Sequence, residues 1–233
     1  MKSMNEIIRK RKSIRKYDPS PLDAAAMEAV RAQIAKVRPL YPGIEYRIDF
    51  VSKTKGLFNV KAPHYLVFSS EEKDGACENI GFIGQQLDLF FSGAGLGSCW
   101  LGVSRPDAGV STALAFVASM SFGNPAEPLH RAVSDFKRKE LSAISEGTDE
   151  RLKAARLAPS GMNSQNWYFV AVDGCIHCYR KKTLLGFSSK MGRIDMGIAL
   201  CHIAVESDGF SFAKEAGAPG RRGFIYVGTV LGG

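Results

Sequence analysis

No apolar run in this 233-residue chain approaches the ~18 residues that a membrane-spanning helix needs. The first dozen residues, Met1 to Lys12, are charged and hold no apolar core, so they do not read as a secretory signal, and a cytoplasmic protein is expected. A disulfide framework is also missing: Cys77, Cys99, Cys175, Cys178 and Cys201 are odd in number and irregularly spaced. The histidines, His64, His130, His177 and His202, show no metal-ligand spacing, and no nucleophile–base–acid triad stands out. Cys175-Ile-His-Cys178 is a lone CxxC without a second pair to complete a zinc site. It follows the turn signal Val172-Asp-Gly174 and reads as the returning strand of a hairpin with incidental thiols. A nucleic-acid-binding module is absent too, so that reading would rest on charge alone.

What remains is an ordinary globular composition, 45% hydrophobic and 23% charged, with a formal net charge of +8. The excess of Lys and Arg favours anionic partners such as phosphates and nucleotides. The length suits one large domain or two small ones.

Hydrophobic periodicity predicts a helix from Ala24 to about Val37, capped by Ser20 with Pro21 in its first turn. Strands are expected at 46–51, 65–68, 113–122, 167–172 and 223–230, and helices at 79–92, 149–157 and 195–207, with 100–103 as a buried connection. The second half runs through a series similar to the first. Phe50-Val51 matches Phe169-Val170, Gly81 matches Gly197, and Phe122-Gly123 matches Leu231-Gly232. This order suggests two copies of one α+β unit, residues 1–135 and 136–233, packed as an intrachain pseudo-dimer.

Three segments can carry chemistry. In Arg11-Lys-Ser-Ile-Arg-Lys-Tyr17 two guanidiniums and a hydroxyl sit at alternate positions, able to converge on one phosphate. Ser92-Gly-Ala-Gly-Leu-Gly-Ser-Cys-Trp-Leu-Gly102 looks like a dinucleotide fingerprint, but a helix precedes its glycines, and a helix C-terminus repels phosphate. Its glycines read instead as a C-cap and a backbone that passes close to something. In Arg156-Leu-Ala-Pro-Ser-Gly-Met-Asn-Ser-Gln-Asn-Trp-Tyr-Phe169 a helix end meets a polar loop and then a strand. The loop's backbone N–H groups and amides suit a flat heterocycle rich in donors and acceptors.

The pattern Ala-Pro-Ser-x-x-Asn-x-Gln-x-Trp over 158–167 resembles the flavin-contacting loop of the nitroreductase family, with Asn166 where that family usually has Pro. Arg11, Lys12, Ser13 and Arg15 resemble its N-terminal Arg-Arg/His-Ser-x-Arg segment, which holds the FMN phosphate. Residues 94–102 resemble Leu-Gly-Leu-Gly-Thr-Cys-Trp-Ile-Gly, whose backbone runs along the ring and turns an N–H toward flavin N5; that role falls to Leu101 and Gly102. Asn59 and Lys61, in Phe58-Asn-Val-Lys-Ala-Pro63, match contacts to the pyrimidine edge, and Arg138 matches a second phosphate-binding cation.

The order is altered, because the first half lacks the Ala-Pro-Ser loop and the second lacks the arginine motif. That arrangement resembles the internally duplicated "putative TM nitroreductase" subfamily. The resemblance implies an α+β nitroreductase-like fold and a monomer acting as a pseudo-dimer, with a homodimer as the alternative. It further implies one FMN bound by Arg11, Lys12, Ser13, Arg15, Asn59, Lys61, Leu101, Gly102, Arg138, Pro159, Ser160, Gly161 and Asn163. The implied reaction is ping-pong hydride transfer from NAD(P)H through FMN to a small acceptor such as a nitroaromatic or quinone, with no catalytic side chain, metal, nucleic acid or membrane. A flavin store or sensor with little turnover stays open as the alternative.

Overall fold

The computed structural model describes residues 4–57, 59–108, 110, 112–183 and 186–232. Short helix α1 (Met4–Ile8) precedes the basic segment. Helix α2 spans Ala24–Ile34, and its N-cap is Asp23, whose carboxylate accepts the Ala26 N–H at 2.7 Å. The expected cap, Ser20, lies too early, because Pro21 stands in an extended entry segment rather than in the first turn.

The first half continues with β1 (Tyr46–Val51), the short β2 (Thr54–Lys55), β3 (His64–Ser70), α3 (Ala76–Gly93), β4 (Gly97–Leu101), the short β5 (Arg105–Pro106) and β6 (Ala115–Gly123). Residues 97–101 form a strand paired antiparallel with β6, so the first part of the connection expected at 100–103, Trp100 and Leu101, belongs to it. The second half holds β7 (Ser145–Glu146), α4 (Arg151–Leu157), β8 (Trp167–Val172), β9 (Cys175–Lys181), α5 (Gly186–Val205), β10 (Ser211–Ala213) and β11 (Phe224–Leu231). Helix α5 starts nine residues before the expected Asp195, since Gly186, Gly192, Lys190 and Arg193 mask its apolar face in the sequence. Asp173 and Gly174, at φ of 49° and 75°, make the tight β8–β9 turn. The CxxC lies within β9, and its thiols are free.

The larger sheets have the orders β1-β3-β6-β4 and β10-β11-β9-β8-β7. Setting β7 aside, each is a strand–strand–helix–strand–strand run with its third and fourth strands exchanged in space. Pairing is antiparallel throughout, except for β7 on β8. The two long helices, α3 and α5, pack on each other between the sheets.

Gly81 and Gly197 meet at their crossing in a reciprocal way. A Cβ on Gly81 would strike the Ile194 carbonyl and the Ile198 nitrogen; one on Gly197 would strike the Glu78 carbonyl and the Phe82 nitrogen. Each glycine thus opposes the residues three before and one after the other, the signature of a local two-fold axis. Most buried apolar side chains, from Ile7 through Phe68 and Phe91 to Phe169 and Ile203, form one core around these helices.

Candidate functional site

The loop after α4 is built by hydrogen bonds rather than by apolar packing. Beyond Leu157, Pro159 is buried in an extended stretch, and Gly161–Asn163 make a single 3-10 turn. Met162, Asn163 and Gln165 have φ of 52°, 55° and 45°, three non-glycine residues in the left-handed region within four positions. Such conformations cost about 1–3 kcal/mol each and persist only where the surroundings impose them.

Here they are imposed from three sides. Ser160 Oγ accepts the Gln165 N–H at 3.0 Å, and Asp195 Oδ1 on α5 accepts the Gly161 N–H at 2.9 Å. Segment 137–139 grips the rest: Asn163 Nδ2 donates to Lys137 O at 2.7 Å, Arg138 Nη1 donates to Asn163 Oδ1 at 2.5 Å, and Gln165 Oε1 accepts the Lys139 N–H at 3.0 Å. Asn163, expected to contact the ring or to shape the loop that does, commits both ends of its amide to shaping the loop.

Across from this loop, β4 ends at the buried Leu101 and is followed by Gly102. A Cβ on Gly102 would lie 2.6 Å from the methyl carbon of Met191; one on Gly161 would lie 2.8 Å from the same atom. Gly102 of the first half and Gly161 of the second therefore border one slot, and the flexible side chain of Met191 lies in it. Beneath the same strand end, Tyr65, Cys99 and Leu101 form a small cluster with Val51, Val60 and Ala62. Tyr65 Oη ties down the neighbouring loop, donating to Val60 O and accepting the Ala62 N–H, both at 2.8 Å. That loop carries the exposed Lys61 and Asn59; Asn59 is held by Thr54, while Phe58 lies outside the described residues.

The expected phosphate residues divide. Arg11 is 1% exposed, with Nε 3.0 Å from Asp88 Oδ2 and Nη2 3.3 Å from Ser13 Oγ. Lys12 pairs with Glu127 at 3.3 Å, whereas Arg15 is exposed and uses its backbone N–H on the same carboxylate. Arg11, Ser13 and Arg15 all act on the Cys99 thiol, which burial pushes up.

A further guanidinium, Arg131, joins them. A bridge between Arg11 and His130 brings it to the basic segment, and its guanidinium lies 3.7 Å above the Phe136 ring. Burial, then repulsion from Arg11, lowers Arg131 to about 10. Burial, then repulsion from Arg131, Arg11 and Arg156, does the same to Arg138. The buried Nε atoms of Arg131 and Arg138 have no hydrogen-bond partner. Three neighbouring guanidiniums, two of them with an unused buried donor, could hold an anion. Nothing around position 131 in the sequence marks it, because its partner Arg11 is 120 residues away.

Arg11 is held by a buried chain of hydrogen bonds that joins both halves. Asp88 Oδ1 accepts Ser98 Oγ at 2.7 Å, and Gln85 Nε2 donates to Asp88 Oδ2 at 2.9 Å. Gln85 also meets His202 Nε2 at 3.0 Å, while His202 Nδ1 lies 3.0 Å from Ala154 O. The carbonyl can only accept, so Nδ1 carries the proton and Nε2 accepts from Gln85. Burial holds His202 neutral, down to about 3. His202 is a core histidine with a structural duty, which its place in an apolar helix suggests.

A protein-family comparison gives one decisive match: residues 3–207 fit the family described as "Putative TM nitroreductase". The chain belongs to this TM nitroreductase family. The matched span takes in both rims of the slot and the guanidinium cluster, and stops short of β10 and β11. Among solved structures, a Thermotoga maritima protein described as a "putative nitroreductase" has a TM-score of 0.69 at 19% identity, covering 98% of this chain and 93% of that one.

A Clostridium difficile nitroreductase family protein covers 62% of this chain and 98% of its own, at 13% identity and a TM-score of 0.49. A Parabacteroides distasonis protein described as a "putative NADH dehydrogenase/NAD(P)H nitroreductase" covers 64% and 100%, at 14% identity and a TM-score of 0.48. A comparison with curated protein sequences gives no significant match. The TM nitroreductase chain thus has a nitroreductase-like α+β fold, and its membership supports the general class of an oxidoreductase acting on small molecules. No helix among the described residues is long and apolar enough to cross a membrane, and no His/Cys/Asp/Glu cluster among them suits a metal.

Proposed function

We propose that the chain binds one FMN between its two halves and works as an NAD(P)H-dependent oxidoreductase of nitroreductase type in the cytoplasm. The observation that carries this reading is the meeting of a guanidinium cluster with a glycine-bordered slot, each assembled from both halves. An FMN phosphate fits the cluster: Arg131 and Arg138 offer buried, unpartnered Nε donors beside Arg11 and Ser13. A flat ring fits the slot, where Gly102 and Gly161 leave room that a Cβ on either would take, and Met191 is flexible enough to move aside. In this reading Leu101, Pro159 and Ser160, the chain neighbours of Gly102 and Gly161, would flank the ring, and Asn59 and Lys61 would reach its edge. Lys12 and Arg15 add positive potential at the rim.

Bound FMN would supply the redox chemistry, accepting hydride from NAD(P)H and delivering it to a nitroaromatic or quinone. The protein's share is to bind and orient. Asp88 and Gln85 hold Arg11 in place, while Arg138 links the phosphate site to the loop through Asn163. The repeated strand and helix order supports the further proposal that residues 1–135 and 136–233 are copies of one unit, packed as a pseudo-dimer. A flavin-binding protein with little turnover is the second reading. Stopped-flow bleaching of the flavin band by NADH or NADPH, followed by reoxidation with menadione or a nitroaromatic, separates them. A flavin that neither nicotinamide reduces would remove the oxidoreductase reading.

Two results are expected on binding. Light scattering combined with flavin absorbance should find about one FMN per chain in a monomer; flavin bound only by a dimer, or two per chain, would sink the pseudo-dimer site. Arg131→Ala should weaken FMN by about 1.5–3 kcal/mol and leave riboflavin nearly unchanged, since its loss is a charge-assisted bond to phosphate. Arg138→Ala should weaken both, because Arg138 also holds Asn163. Equal losses of FMN and riboflavin in Arg131→Ala would show that this arginine acts through folding.

A further inference from the structure

Asp195 lies on α5 directly beneath the loop. Its carboxyl is 3% exposed; Oδ1 accepts the Gly161 N–H at 2.9 Å, and the Ser164 hydroxyl is its other partner. The loop it supports contains the three left-handed residues, so its shape depends on what grips it.

The fold holds its own control for this contact. Asn79 on α3 stands two residues before Gly81, as Asp195 stands two before Gly197. Asn79 Oδ1 accepts the Tyr41 N–H at 3.0 Å. Tyr41 follows Pro39 by two residues, as Gly161 follows Pro159. One helix position thus holds one loop amide in each half, by an uncharged amide in the first half and by an ionisable carboxyl in the second.

We infer that Asp195 is the positioning residue of the 160–165 loop and that its proton controls it: protonated, the carboxyl stays sealed beneath the loop; ionised, it drives the loop open to reach water. For the flavin this rests on the function proposed above. Burial raises Asp195 to about 7, against the opposing pull of the Gly161 N–H and the Ser164 hydroxyl. The charged groups on the elements packed around it are engaged elsewhere. Glu78 on α3 faces Arg193 of α5 and Arg180 of β9; Asp88 pairs with Arg11; Arg138 faces Arg131, Arg11 and Arg156 of α4. No cation among them stabilises the Asp195 anion. An open loop would hydrate the carboxylate and return it toward its ordinary value, so closing the loop takes up a proton; each pH unit between about 4 and 7 favours opening by up to tenfold, and the effect levels off above 7 as the sealed carboxyl ionises too.

The test is hydrogen–deuterium exchange of residues 158–166 in the flavin-free full chain at pH 6 and pH 8.5, corrected for intrinsic rates, with residues 38–43 as the internal control. Protection of 158–166 in the wild type should fall about tenfold at the higher pH, while the control loop holds steady. Asp195→Asn should protect 158–166 equally at both. Any loss of FMN affinity between the two pH values should be matched by riboflavin and be absent from the variant, because only the share of chains with an open loop is lost to binding. Wild-type protection that ignores pH, or a fall of the same size in Asp195→Asn, would overturn the inference. Protection that follows pH in a protein that binds no flavin would leave the inference standing and remove the proposed function.

Discussion

Gly197→Ala is expected to destabilise the protein by about 3 kcal/mol, whereas Gly192→Ala, five residues earlier on the same helix, is expected to stabilise it by about 0.5–1 kcal/mol. Both replace a helical glycine and share the same gain from a less flexible unfolded chain. They differ in what the new methyl meets. At 192 nothing lies within 4 Å; at 197 the Cβ would strike the Glu78 carbonyl and lie 2.8 Å from the Phe82 nitrogen. Backbone cannot rotate aside, so α3 and α5 must separate along the line that joins the halves, and packing around Ile80, Ile83, Ile194 and Ile198 is lost with it. Urea unfolding of the two variants reads this difference, and shifts of the same sign would show that the crossing is not close-packed. Gly81→Ala, in the reciprocal position, should resemble Gly197→Ala.

Asp195→Asn is expected to stabilise the protein above pH 8 by at most ~3 kcal/mol, with the gain falling as pH drops and becoming a loss of about 1 kcal/mol near pH 4. Burial raises the folded-state value of Asp195 from 3.8 to about 7. For a group raised in the folded state, the stabilising contribution is complete below the unfolded value and is lost as pH rises through the folded one. About three pH units at ~1.4 kcal/mol each set the ceiling on what ionisation costs the wild type. The amide has no proton to lose in this range and keeps an oxygen for the Gly161 N–H. It leaves a buried Nδ2 to satisfy, as Asn79 does, at a cost of about 1 kcal/mol that does not vary with pH. Thermal melts of both proteins from pH 5 to 9 give the comparison. A difference that stays constant across the series would show that Asp195 does not titrate under the loop.

The amino-acid sequence determined what depends on near neighbours. Alternation placed β1 at Tyr46–Val51, an apolar run placed β8 at Trp167–Val172, and Asp173-Gly174 supplied the left-handed turn between β8 and β9. Proline, serine and glycine at 159–161 ended α4 where the loop begins, since each breaks a helix through its own backbone. Arg11, Ser13, Arg15 and the 158–167 loop resemble motifs of one family, and the TM nitroreductase match over residues 3–207 spans them all.

Only the tertiary structure decided the rest, because those features pair residues far apart in the chain. Arg131 became part of the cluster through the bridge at Arg11, and Arg11 became a buried, held cation through Asp88. Asn163 was fixed as a brace of the loop by Lys137 and Arg138, which lie beside it only in the fold. Asp195 read as an ordinary helix-start residue until α5 was packed under the loop and shut its carboxyl away from water. Local sequence sets which backbone shapes are cheap; burial and charge depend on what the fold later brings within a few ångströms, and no local pattern carries that.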